Sequence, residues 1–212
     1  SFVAAGSRLP DGAVRMSARN VRELIAAEVD CGRARTYEWV KNVTQVTTAG
    51  LWFDLSGSAG NPKAKQWFDA APLVAAQIKQ STDGGLFHGG NVAADGRAKF
   101  IRSVRAACAT ATPLPLYLML CDYLLYYPTV EDGTTDEQVM DNTTPLSRYT
   151  DGVGVEMMAV TISARTGGQS FTVRYTNSAG VTGRTSGTVV QNSATAPGTI
   201  TTSTRTTQTG GH

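Results

Sequence analysis

The chain has 212 residues, a formal net charge of +2, 41% hydrophobic residues and only 17% charged ones. That length holds one β domain with extensions or two small domains, and a near-neutral balance without a dense basic cluster argues against a nucleic-acid footprint. Abundant glycine (22 residues) and threonine suit strands and turns more than helices.

The start, Ser1-Phe2-Val3-Ala4-Ala5-Gly6, lacks the charged n-region and long apolar core of a signal peptide. A small first residue fits removal of an initiator methionine, so synthesis in a cytosol is expected. Residues 1–16, with a turn at Pro10-Asp11-Gly12, read as an extended arm. Asn20-Val21-Arg22-Glu23 resembles a capping box, and Val21, Leu24, Ile25 and Val29 form an apolar stripe that stops near Gly32. One helix, about 21–31, is expected here and none so clearly elsewhere.

From Tyr37 the period changes. Tyr37, Trp39, Val43 and Val46 point to a strand, and Gly50-Leu51-Trp52-Phe53-Asp54-Leu55 to an aromatic strand ending in the turn Ser56-Gly57-Ser58-Ala59-Gly60-Asn61-Pro62. Residues 72–78 fit a short helix or a strand. Residues 99–105 alternate cleanly, as a half-exposed strand would.

Residues 114–128, Leu-Pro-Leu-Tyr-Leu-Met-Leu-Cys-Asp-Tyr-Leu-Leu-Tyr-Tyr-Pro, are the longest apolar run and hold four of the seven tyrosines. Read at period two, Leu116, Leu118, Leu120, Leu124 and Tyr126 share one face, and Tyr117, Met119, Cys121, Tyr123, Leu125 and Tyr127 the other. Both faces are apolar, so one or two strands covered on both sides are expected. The run is too short to span a membrane comfortably, and Asp122 in its middle argues further against that.

Residues 131–148 read as a polar, acidic loop with room for a helical turn at 136–140. Residues 153–162 read as a strand. Residues 170–176 and 181–185, joined by Asn177-Ser178-Ala179-Gly180, are the strongest hairpin signal. The Thr/Ser/Gly-rich stretch from Ser186 suits an extended arm that adds to a neighbour's sheet edge. About seven to nine short strands in roughly 150 residues favour a jelly roll over an immunoglobulin sandwich, whose Cys…Trp…Cys pattern is missing. The expectation is a mainly β chain: a jelly-roll-like antiparallel β-sandwich (37–185), preceded by an arm and one helix (1–36) and followed by a C-terminal arm (186–212).

Chemistry is sparse. His88, the one histidine besides His212, has no nucleophile signature beside it and reads as a turn or core residue rather than a general base. Asp54, Asp122, Glu131 and Glu156 lie on or next to expected strands, but sequence cannot bring two of them to glycosidase spacing. Asp122, within the core run, needs a partner such as an arginine or the amides of a bulge. Cys31, Cys108 and Cys121 form neither a disulfide framework nor a zinc pattern; buried thiols are the plain reading, and an exposed Cys31 bonding a neighbouring subunit the sharper one. No phosphate-binding glycine loop or EF-hand spacing occurs. Asn42-Val43-Thr44 and Asn142-Thr143-Thr144 match the glycosylation sequon, and without a signal-peptide pattern they read as chance matches. Trp39, Trp52 and Trp67 could line a sugar platform, but read first as core or interface residues.

The strings Gly50-Leu51-Trp52-Phe53-Asp54-Leu55-Ser56-Gly57-Ser58, Leu86-Phe87-His88-Gly89-Gly90-Asn91, Leu120-Cys121-Asp122-Tyr123-Leu124-Leu125-Tyr126-Tyr127-Pro128 and Arg148-Tyr149-Thr150-Asp151-Gly152-Val153-Gly154-Val155 together resemble tailed-bacteriophage virion structural proteins. The matching region runs from about residue 46 to 186, and none of its strings is catalytic. The resemblance implies a capsid decoration (cement) or minor head protein with a β-sandwich domain, commonly a trimer, seated where major capsid subunits meet. The expected partners are therefore the major capsid protein and further copies of the chain, with no nucleic acid, membrane, cofactor or metal and no enzymatic activity. The expected location is the virion surface, after synthesis in the host cytoplasm. The alternatives are a tail or baseplate structural protein and a carbohydrate-binding β-sandwich module or glycosidase.

Overall fold

The computed structural model describes the backbone of residues 2–6, and residues 22, 36–43, 50–65, 70–79, 85–86, 101, 103–109, 117–163, 168–191 and 196–201 in full. The chain divides into two units, one of Ser1–Arg8, Trp39–Gly85 and Cys121–His212, the other of Leu9–Glu38 and Leu86–Leu120. The described elements are strands β1 (Phe2–Gly6), β2 (Val40–Asn42), β3 (Ala59–Asn61), β4 (Ala76–Gln77), β5 (Asp122–Tyr127), β6 (Val155–Val160), β7 (Ser170–Phe171), β8 (Arg174–Tyr175), β9 (Arg184–Thr185), β10 (Val189–Val190) and β11 (Ile200–Thr201). The described chain is mainly β, built of small antiparallel sheets. Among the described residues no helix is long and apolar enough to cross a membrane.

The first unit is organised on a five-stranded sheet of order β11-β6-β1-β5-β4. Phe2–Gly6, expected within an arm, runs between β5 and β6 and pairs antiparallel with both. It supplies partners to backbone groups of both neighbours, which would otherwise need water or another chain. Part of the Thr-rich stretch is likewise built in. Val189–Val190 pairs with Ser170–Phe171, and Ile200–Thr201 pairs with β6. Phe53 bridges Thr199, with Asp54 N–H donating to Gly198 O and Ile200 N–H to Trp52 O, so the aromatic segment borders β11. On the other side the chain before β4 meets residue 141: Ala75 N–H donates to Asp141 O, and Asp141 N–H to Leu73 O.

The apolar run is divided. Its second half is β5, with Leu124, Leu125 and Tyr126 all buried. Residues 117–120 form no strand and are exposed, Tyr117 by 79%. The simple alternation expected for β5 is also corrected. Along β1 the register jumps from Ala4↔Leu125 to Ala5↔Tyr123, so Leu124 is an extra, bulged residue. Val3 pairs with Tyr126 and Ala5 with Tyr123. Positions two apart on β1 share a side, so Tyr123 and Tyr126 lie on the same side of the sheet. Asp122, Leu125 and Tyr127 take the other side. Tyr126 and Val160 centre the core on the first side, with Ala76, Ile78, Tyr123, Met158 and Ile200 packed against them. The bulge carbonyl is used, since Ile78 N–H donates to Leu124 O at 3.1 Å.

The 170–185 hairpin forms as β8–β9, with Arg174↔Thr185 and Tyr175↔Arg184. In its turn Asn177 Oδ1 accepts from the N–H groups of Ala179 and Val181, and Gly180 takes φ +77°, which favours glycine. Of residues 72–78, only Ala76–Gln77 form a strand, β4; Val74 makes an isolated bridge to Asp141 and residues 72–73 form a turn. Residues 131–148 are irregular, without the helical turn; Gln138 spans the loop instead, donating to Glu131 O and accepting from Glu131 N–H. In the second unit, Ile101 and residues 103–105 are exposed and form no strand, contrary to the alternation there. Side chains alone make that pattern, whereas a strand also needs a partner for its backbone. The helix expected at 21–31 lies outside the described residues except for helical Arg22.

Leu124 is 1% exposed and Val181 51%. Leu124→Ala is expected to cost about 2–5 kcal/mol in urea denaturation, and Val181→Ala within about 0.5 kcal/mol. Equal small effects would remove β5 from the centre of the core.

Candidate functional site

The polar groups of the first unit collect on the two sides of β5. On the Tyr123–Tyr126 side stands Asp54, 7% exposed. The expected strand at 50–55 is reduced to the isolated bridge at Phe53, and residues 54–56 make an Asx turn: Asp54 Oδ1 accepts from Ser56 N–H at 2.9 Å, and Oδ2 from the Ser56 hydroxyl at 2.6 Å. The Tyr123 hydroxyl donates to Oδ1 from across the sheet at 3.4 Å. Burial, then the neighbouring Asp54 charge, push the Tyr123 phenol well above its ordinary range. Burial and Asp54 also push the Cys121 thiol up, so it is held as a neutral thiol rather than a reactive thiolate. The Ser56 hydroxyl proton points into Asp54, the geometry of a turn rather than of a nucleophile.

Two lysines complete this side. Lys65 is 6% exposed; its Nζ lies 3.4 Å from the Tyr126 hydroxyl and 4.7 Å from the ring centroid, a cation–π contact. Lys41 Nζ lies within reach of the carbonyl oxygens of Pro62 (2.7 Å), Ser58 (3.2 Å), Ser56 (3.4 Å) and Lys63 (3.5 Å). Burial draws its pKa below the ordinary value, and Asp54 pulls it back up.

On the other side, Asp122 meets Arg148 in a two-pronged pair: Nη2 donates to Oδ1 at 2.7 Å and Nε to Oδ2 at 3.0 Å. Arg148 Nη2 also lies 3.4 Å from Tyr123 O, so the loop end clips to β5. The Tyr127 hydroxyl donates to Asn142 Oδ1. The partner that Asp122 requires is thus an arginine, and the carboxylate is structural.

Of the four carboxylates singled out in the sequence, Asp54 and Asp122 are each spent on separate structural partners, and Glu131 and Glu156 are exposed. Cys108 is exposed, and Cys121 half-buried. His88, Cys31, Trp67 and His212 lie outside the described residues. Trp39 is half-buried and Trp52 42% exposed. Among the described residues no three His, Cys, Asp or Glu side chains gather as a metal site. Sequence reasoning missed Lys41 and Lys65. The glycine-rich turn after Ser56 signals a loop, but no residue pattern announces a ring of main-chain carbonyls. No family model, curated protein or solved structure matches the chain.

Arg148→Ala is expected to cost about 1–3 kcal/mol in urea denaturation, because it leaves the Asp122 charge half-buried and unpaired. Adding Asp122→Ala should cost less than the sum of the single changes, and Arg148→Lys should restore only part, since an ammonium cannot grip both oxygens. Alkali tests the other side. Tyr123 keeps its proton in the fold at pH values where the unfolded phenol, with an ordinary pKa of 10.0, has lost it. The native state then binds more protons, so stability falls as pH rises past 10.0. Cys121 and Tyr127, also raised, act in the same sense; Lys41, lowered, acts in the opposite one below its ordinary 10.5. Tyr123→Phe should flatten the decline in melts recorded across alkaline pH.

Proposed function

We propose that the chain is a structural protein of a tailed-bacteriophage virion: a decoration or cement protein that binds the outer capsid surface and stabilises the head through contacts between neighbouring subunits. One observation carries this reading. Three of the strings behind the resemblance meet in a single framework, Asp54 accepting from Tyr123 and Arg148 gripping Asp122. The likeness therefore lies in residues that hold a scaffold together, and the buried charge there is used up in doing so. A jelly-roll-like sandwich is the arrangement that suits a β5 buried on both sides. The partners are the major capsid protein and further copies of the chain, as a trimer, at the capsid surface. Exposed apolar side chains such as Val40 (69%), Val139 (77%) and Val190 (62%) supply area that neighbours would remove from water, and weak contacts repeated around a capsid add up.

The purified full chain is expected to sediment as a trimer, to bind saturably to expanded heads assembled from the major capsid protein of the same phage, and to raise their melting temperature. A monomer that leaves heads unaltered overturns the proposal. Binding to purified tails instead selects a tail or baseplate role, and a glycan-array signal lost in Trp52→Ala selects a carbohydrate-binding module. Truncation after Thr201 tests whether residues 202–212 act as an attaching arm, because it leaves β10 and β11 in place.

A further inference from the structure

The Lys41 ammonium occupies a ring of main-chain carbonyls, in a loop that backbone hydrogen bonds also hold. The backbone of residues 56–63 is held by Ser58 N–H donating to Leu55 O, by Lys65 N–H donating to Ser56 O, and by the β2–β3 pairing Val40↔Asn61, Lys41↔Gly60 and Asn42↔Ala59. Gly60 has φ +138°, and a Cβ there would stand 2.0 Å from Val40 O, so only glycine lets the loop pass this close over β2. That close passage brings the carbonyls of Ser56, Ser58, Pro62 and Lys63 round one point, 2.7 to 3.5 Å from the lysine nitrogen. An ammonium has three protons to offer these oxygens, and Asp54 adds a negative charge within electrostatic reach. Carbonyl oxygens converging on one point are also the means by which proteins replace the water shell of a potassium ion, whose size is close to that of ammonium.

We propose that residues 56–63 form a monovalent-cation site of main-chain carbonyls whose resident cation is the chain's own Lys41 ammonium. The site takes ammonium, small primary alkylammonium and potassium ions once the lysine side chain is withdrawn. Supplying the cation covalently makes the closure of this loop, and of the exposed β2–β3 ribbon it carries, independent of the surrounding salt.

The test compares Lys41→Ala, which empties the ring, with Lys41→Met, which fills it with an uncharged chain, both in the full-length protein. Thermal melts are recorded in ammonium, methylammonium, potassium, lithium and tetramethylammonium chlorides at equal ionic strength. Both variants should melt lower than the parent, on the order of 5 °C. Ammonium, methylammonium and potassium should restore Lys41→Ala saturably, while lithium and tetramethylammonium should not. Lys41→Met and the parent should show no such selectivity. If Lys41→Ala does not fold unaided, the recovered yield of folded protein on dilution from urea into potassium or lithium chloride gives the same comparison. Restoration that is equal in all five salts, equal in both variants, or unneeded because Lys41→Ala melts with the parent overturns the proposal.

Discussion

The bulge at Leu124 decides which way the side chains of β5 face, and the polar structure of the first unit depends on that facing. One extra residue changes the period locally, so Tyr123 and Tyr126 come to one side of the sheet while Asp122, Leu125 and Tyr127 come to the other. Both hydroxyls on the first side meet a charged group from the 54–65 segment, Asp54 and Lys65. On the second side, Asp122 and Tyr127 meet Arg148 and Asn142 from the loop that follows β5. Strict alternation would have put Tyr123 with Asp54's would-be hydrogen bond on the wrong side, beside Tyr127.

Charge in this unit is placed where the backbone needs holding. A buried carboxylate or ammonium is costly unless its hydrogen-bonding capacity is filled. Asp54 closes a turn and reaches β5, Lys41 gathers four carbonyls of one loop, and Arg148 ties the far end of another loop to β5. Each joins segments distant in sequence. Polar groups arranged in this way tie separate segments of the chain to the central sheet.

Local signals in the sequence were sufficient where the interaction is local. The Asn177-to-Gly180 turn forms between the short pair Arg174–Tyr175 and Arg184–Thr185, although Ser170–Phe171 pairs elsewhere, with Val189–Val190, and β6 lies within residues 153–162. Asp122 stood out as a carboxylate in need of a partner, and it has one. Local pattern misled where pairing comes from afar. Residues 103–105 alternate yet form no strand. Phe2–Gly6 looked like an arm and runs at the centre of a sheet, because its hydrogen bonds come from β5 and β6, more than a hundred positions away. Nothing in the composition of the Thr-rich stretch marks Ile200–Thr201 as a strand beside β6.

By itself, the sequence determined the mainly β character, the hairpin turn, the presence of a core strand somewhere in the apolar run 114–128 and the demand that Asp122 be paired. These follow from side-chain type and short-range spacing. Tertiary structure alone decided that Arg148 answers Asp122, that Leu124 is bulged, that Phe2–Gly6 completes the sheet and that four carbonyls surround Lys41. Those features depend on main-chain groups, which every residue carries alike, and on register between distant segments, which no local pattern encodes.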